Sequence, residues 1–185
     1  MSYSQAFLRV IALVLQHEGK FTKRREDRGN WTSGQIGVGE LKGTNFGISA
    51  MSFPDEDIAN LTVERATFLY HRDYWSPVRG DDLPLPVAGP VMDAAVNCGV
   101  GAAARFLQRA LLVKDDGVIG PVTIHAAHNA RDHVALAAKM TRLRLIAHTT
   151  MKDWPNSRDS WVQLSIDFSI WAARAAMPTT SLPTL

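Results

Sequence analysis

Cys98 is the only cysteine among 185 residues. An internal disulfide is therefore excluded. Cys98 sits in an apolar helical segment, where a small side chain is expected to be buried. Long hydrophobic runs are missing as well. The apolar stretch from Phe7 to Leu15 contains Arg9 and falls well short of the ~20 residues that a membrane span needs. It has no basic leader and no small-residue cleavage site, so it makes a poor signal peptide. The expectation is a protein that does not span a membrane and is made in a cytoplasm without its own export signal. An excess of one charge is also lacking. The net charge is +2 with a pI near 8.9, which suits an anionic polymer. The marked basic stripe of a nucleic-acid-binding surface is absent. Lys23-Arg24-Arg25 is only a short basic run, read either as a solvated loop or as a contact for substrate carboxylates. Gly-x-Ser-x-Gly does not occur, and Gly37-Val38-Gly39 lacks the trailing Lys-Ser/Thr of a phosphate loop. His125, His128 and His133 do not have the spacing of a helical zinc pair with a Glu between them. No metal or other cofactor is expected.

What is present is a chain with 46% hydrophobic and 21% charged residues, enough to bury a sizeable core in one domain of two lobes. No internal repeat is found. In the first helix Phe7, Ile11, Val14 and Leu15 form one stripe at helical spacing. Between residues 27 and 49 stand Gly29, Gly34, Gly37, Gly39, Gly43 and Gly47, which exclude a long helix. This region reads as loops with a short β-hairpin, and Ile36 and Val38 are spaced for a strand. Thr62 is an N-cap with Glu64 in the first turn behind it, and Ala66, Leu69 and Tyr70 face the core. Pro84 and Pro86 break the chain. Val91 to Cys98 reads as a helix buried on most sides, ended by Gly99 and Gly101. Ala102–Leu112, Asp132–Thr149 and Ser160–Ala176 read as further helices, with a turn at Asp115-Asp116-Gly117. The residues from Met177 form a loose tail.

Two carboxylates carry the chemistry. Glu18 stands in the last turn of the first helix, before Gly19, and Asp27 follows after eight intervening residues. A carboxylate there is partly desolvated and faces the negative end of the helix dipole. Both effects raise its pKa and suit it to donate a proton as a general acid. Asp27 lies in a polar segment suited to an ionised partner. Two carboxyl groups in contrasting environments are the arrangement used to cleave a glycosidic bond. The competing reading of Glu18 is a solvated residue at a frayed helix end.

The order Glu18-Gly19, Asp27-x-Gly29-Asn30-Trp31-Thr32 and Gly39-Glu40-Leu41-Lys42-Gly43-Thr44-Asn45-Phe46-Gly47-Ile48 resembles glycoside hydrolase family 108. Further likeness lies in Tyr74-Trp75-x-Pro77-Val78-Arg79-Gly80-Asp81 and in Asp93-Ala94-Ala95-Val96-Asn97-Cys98-Gly99-Val100-Gly101. It continues through Leu107-Gln108-Arg109-Ala110-Leu111 and Asp116-Gly117-Val118-Ile119-Gly120-Pro121-Val122-Thr123. Lys20 departs from the family's Glu-Gly-Gly. The resemblance covers roughly Phe7 to Trp161. It implies a mainly α (α+β), lysozyme-like, two-lobed fold with a small glycine-rich hairpin region after the first helix. The expected organisation is a single domain over 1–176, with a catalytic lobe over about 1–83 and a helical, peptidoglycan-binding lobe over about 84–176. The tail would be 177–185.

The implied activity is that of an endolysin-type N-acetylmuramidase, acting on peptidoglycan glycan strands in the periplasm. It would be a monomer reaching the wall through a separate holin-like, membrane-permeabilising partner. Glu18 would be the catalytic acid, with Asp27 as the second carboxylate and an inverting outcome favoured. Thr44 is a candidate for positioning the attacking water, and Thr32 is its rival. Either hydroxyl has a competing role in a loop turn. Asn45, Trp31, Asn97 and Asp93 are candidates for contacting sugar, the last two with structural duties as the alternative. Phe46, Tyr74 and Trp75 are further aromatic candidates, the latter two with core packing as the alternative. The second reading of the chain is a non-catalytic peptidoglycan-binding protein that keeps the fold.

Overall fold

The computed structural model describes residues 2–17, 21–150 and 154–177. Glu18, Gly19 and Lys20 lie outside the described residues, as does the expected tail beyond Met177. The chain is mainly helical with one small hairpin. Backbone contacts divide it into a smaller unit, Ile11–His71, and a larger one formed by the residues up to Val10 together with those from Arg72 onward. The division does not fall near Pro84.

Helix α1 spans Gln5–His17. Phe7, Val10, Ile11 and Val14 are its buried positions, a stripe at i, i+3, i+4 and i+7. Val10 takes the place expected of Leu15, which is half-buried. In the larger unit, Phe7 stacks at a tilt on Tyr3 and Trp75, with ring centroids 5.0 and 5.5 Å away. Trp75 is fully buried. It is therefore a core residue and not a platform for sugar.

In the smaller unit the hairpin consists of β1, Thr44–Asn45, and β2, Ile48–Ser49, paired Thr44 to Ser49 and Asn45 to Ile48. Phe46 and Gly47 form its turn, with φ of 49° and 73°, the two positive values that a tight antiparallel turn requires. A side chain resists that conformation, and the Tyr70 hydroxyl secures Phe46 by donating to its carbonyl at 2.9 Å. The hairpin is thus eight residues later than the alternation of Ile36 and Val38 suggests. Those two side chains are exposed, at 59% and 51%, on turns set by Gly34, Gly37 and Gly39 at positive φ. Helix α2, Val63–Tyr70, is capped by Thr62, whose hydroxyl accepts from the Arg65 amide. It buries Ala66, Leu69 and Tyr70, as the sequence suggests.

The larger unit is built on α3, Leu85–Cys98, which is buried from Pro86 to Ala95. Pro84 and Pro86 start this helix instead of breaking the chain. A proline in a first turn gives up an N–H that has no helical acceptor there. Against α3 pack α4, Val100–Leu111, α6, His133–His148, and α7, Trp154–Ala175. Gly89 lets α7 approach closely, since a Cβ there would stand 2.4 Å from the Trp171 ring. Asp132 caps α6 by accepting from the Val134 and Ala135 amides, each at 2.9 Å. Helix α7 starts six residues before Ser160. Helix α5, Pro121–His128, is an element the sequence does not announce. His128 ends it, and His133 opens the next helix. No helix among the described residues is long and apolar enough to cross a membrane.

Candidate functional site

The glycine-rich loop of the smaller unit is organised around Asn30, which is fully buried. A buried amide must find partners for both of its ends. Its Nδ2 donates to the Arg24 carbonyl at 3.0 Å, and its Oδ1 accepts the Thr44 hydroxyl at 2.8 Å. Its own carbonyl accepts the amides of Lys42 and Gly43, both at 3.0 Å, and its amide donates to the Asp27 carbonyl at 3.2 Å. One side chain thereby joins the Asp27 turn to the start of the hairpin. Sequence reasoning quotes Asn30 in a motif and gives it no role. Only its place directly after Gly29 in the turn hints at one.

Asp27 is exposed. It caps the short 3-10 turn Arg28–Asn30 and accepts from the Gly29 amide at 2.8 Å. That contact fixes one carboxylate oxygen and leaves the other free of protein partners among the described residues. A Cβ on Gly29 would lie 3.2 Å from Asp27 Oδ1 and 3.9 Å from the Ser49 Cβ. The Asp27 carboxylate and Ser49, the residue that pairs with Thr44 in the hairpin, thus both neighbour the Gly29 position.

Thr44 is half-buried. Its backbone is bridged to Thr22 through Thr22 N to Thr44 O at 2.9 Å and Thr44 N to Thr22 O at 2.8 Å. Asn30 Oδ1 can only accept, so the Thr44 hydroxyl spends its proton there and keeps lone pairs to offer. Such a hydroxyl can hold a water by accepting one of its protons. Thr32 is committed differently. Its hydroxyl oxygen accepts the Glu40 amide at 2.9 Å, and it touches Gly39 so closely that a Cβ there would come within 2.6 Å. It closes the 32–40 loop.

Trp31 donates its indole N–H to the Arg25 carbonyl at 2.9 Å and leaves part of its ring accessible. Asn45 is buried and donates to the Ile58 carbonyl at 3.2 Å. That bond ties the hairpin to the following loop and uses one of the two N–H donors of the amide.

Asp93 and Asn97 belong to the larger unit. Asp93 is buried and forms an ion pair with Arg144, whose own side chain is only 3% exposed. Arg144 also donates to Ser165 at 2.5 Å. Asn97 is exposed, and its amide donates to the Asp93 carbonyl at 2.9 Å and to the Asp93 carboxylate at 2.8 Å. These contacts link α3, α6 and α7, a bracing duty for Asp93. Beside them Cys98 Sγ meets His148 Nε2 at 3.0 Å. Burial, then the Asp93 charge, pushes the thiol pKa up against the opposing pull of Arg144. Burial, then Arg144, pushes the imidazole down to about 4. Both shifts favour the uncharged thiol and the uncharged imidazole. Cys98 itself is half-buried.

Gln108 holds the loop before α5. Its amide donates to Asp116 at 2.8 Å, to the Val118 carbonyl at 2.9 Å and to Thr123 at 3.2 Å, and its oxygen accepts the Gly117 amide at 2.9 Å. Asp116 is held below the usual carboxylate range, first by this Gln108 bond and then by the Val118 amide.

The chain is similar in fold to a solved structure described as that of Brucella abortus SagA. The TM-score is 0.80 with 24% identity, over 94% of this chain and 97% of that one. A comparison with curated protein sequences finds no match. The model of the family described as glycosyl hydrolase 108 matches residues 11–99, a range that holds Asp27, Asn30, Thr44 and the position of Glu18. Over that segment the chain matches glycosyl hydrolase 108, which supports a glycoside hydrolase of the muramidase type with peptidoglycan as its general substrate class.

Proposed function

We propose that the protein is an endolysin-type muramidase that hydrolyses the β-1,4 bond between N-acetylmuramic acid and N-acetylglucosamine. The observation that carries the reading is the Asp27–Asn30–Thr44 arrangement inside the matched segment. Asp27 presents a carboxylate with one oxygen fixed and one free. Thr44 presents lone pairs held in place by Asn30. A water donating one proton to each would be oriented for attack and stripped of a proton by Asp27. Glu18 supplies the complementary proton to the leaving oxygen. This role rests on its position in the sequence and on the family resemblance. With a water between the two carboxyl groups, the reaction inverts the anomeric centre.

The same reading has the protein act as a monomeric single domain on the wall, released to it by a separate membrane-permeabilising protein. Trp31 offers a ring for a sugar face. Clearing of purified peptidoglycan by Glu18→Gln and Asp27→Asn tests the proposal. Both should fold as the wild type does. Glu18→Gln should lose at least ~10²-fold in rate, the low end for removing a general acid. Undiminished clearing by folded Glu18→Gln would remove it from the mechanism.

A further inference from the structure

The smaller unit contains a second feature that the Asp27 site does not use. It is a cavity of about 320 Å³ walled by Lys23, Glu40, Lys42, Asp55 and Asp57, with Ile58 among its apolar lining. That volume is in the range of small-molecule sites, and its walls carry charges of both signs. Several of those charges are already engaged. Lys42 Nζ donates to the Pro54 carbonyl at 2.6 Å and lies 3.7 Å from Glu40. Asp57 accepts from the side-chain amide of Asn60 at 2.9 Å. Glu56, also in the lining, accepts from Arg65 Nε and Nη2 at 3.0 and 2.6 Å.

Two charges remain. Among the described residues, Lys23 and Asp55 are exposed and make no hydrogen bond or ion pair, and the Glu40 side chain is 72% exposed. The cavity thus offers one ammonium and two carboxylates to a ligand. Its place is also informative. Lys23 directly follows Thr22, whose backbone is bridged to Thr44. Lys42 directly precedes Gly43, and both amides bond to Asn30. The cavity therefore shares its wall with the loop that fixes Asp27 and Thr44.

Resting on the muramidase reading, we infer that this cavity binds the charged part of the peptidoglycan stem peptide, a chain that branches from the muramic sugar beside the bond to be cut. Asp55, with Glu40, takes the free ammonium of the stem's diamino acid, and Lys23 takes a stem carboxylate. A ligand bearing both charges leaves neither wall unpaired, which a neutral sugar would not do.

The test compares intact peptidoglycan with the same material after acetylation of its free amines and after amidase removal of its stems. For the wild type, KM should rise about tenfold on acetylation, the scale of one hydrogen-bonded charge pair, and rise again on removal of the stems. Asp55→Asn should raise KM on intact peptidoglycan and abolish the distinction between intact and acetylated material. Lys23→Gln should instead keep that distinction while weakening both. Equal wild-type KM on all three substrates would overturn the inference, as would an Asp55→Asn variant that still discriminates. If no glycan fragments are released from any substrate, the muramidase reading itself fails. Cosedimentation of the wild type with intact and acetylated peptidoglycan then still decides the subsite: equal binding refutes it, and weaker binding to the acetylated form supports it.

Discussion

Asn30→Ala removes two side-chain hydrogen bonds from a residue with no exposed surface, Nδ2 to the Arg24 carbonyl and Oδ1 from the Thr44 hydroxyl. Each is worth about 1 kcal/mol net, and a partner stranded without solvent adds about as much again. The expected loss of stability is ~3 kcal/mol, read as a fall in the urea midpoint at unchanged slope. The effect on catalysis is separate. Without Asn30 the Thr44 hydroxyl is free to rotate and donate its proton elsewhere, so kcat should fall about tenfold, the scale of one misdirected hydrogen bond. Thr44→Val, which keeps the shape and deletes the hydroxyl, should lower kcat to a similar degree with a smaller change in stability. The decisive assay is the cycle between them. If Asn30 acts on catalysis through Thr44, adding Asn30→Ala to Thr44→Val lowers kcat little further, while the share of the stability loss that comes from the Nδ2 bond to Arg24 persists. Two kcat losses that multiply would refute this reasoning and leave Asn30 a purely structural residue.

Removing one partner of the buried Asp93–Arg144 pair, as in Arg144→Met, should destabilise by ~3–5 kcal/mol because it strands a buried charge. The double change Asp93→Leu with Arg144→Met should recover most of that in a urea titration. Gly89→Ala drives a Cβ to 2.4 Å from the Trp171 ring and should lower stability by ~1–3 kcal/mol through overpacking. His148 titrates at about 4 in the folded state against an ordinary 6.5. Its contribution is therefore complete above pH ~6.5 and is lost as pH falls toward ~4, by on the order of 3 kcal/mol. Denaturant midpoints at pH 7 and pH 4.5 should differ less in His148→Gln than in the wild type.

The helices were largely legible in the sequence because they rest on local rules. The apolar stripe of α1 and the Thr62 cap of α2 each need only neighbours within a turn or two. The hairpin was misplaced for an equally local reason. Ile36 and Val38 alternate as a strand does, yet Gly34, Gly37 and Gly39 all adopt positive φ and turn the chain at every step. The true hairpin has two residues per strand and places Phe46, a residue with no turn signature, at positive φ. Pro84 and Pro86 suggest a break because proline is excluded from a helix interior, whereas the fold uses what proline permits at a helix start. The sequence points to candidate chemical residues but not to the groups that support them. Asp27 and Thr44 stand in motifs, but Asn30 earns its role from carbonyls and hydroxyls that only folding brings near. Likewise, Arg144 lies 51 residues from Asp93, and nothing local pairs them.

Which bond is cut is read from the ends of the released fragments. Purified peptidoglycan digested to completion, reduced with borohydride and analysed by mass spectrometry should give fragments ending in reduced muramic acid. The Glu18→Gln protein should give none above background. Fragments ending in reduced glucosamine, or free peptides with intact glycan, would contradict the assignment.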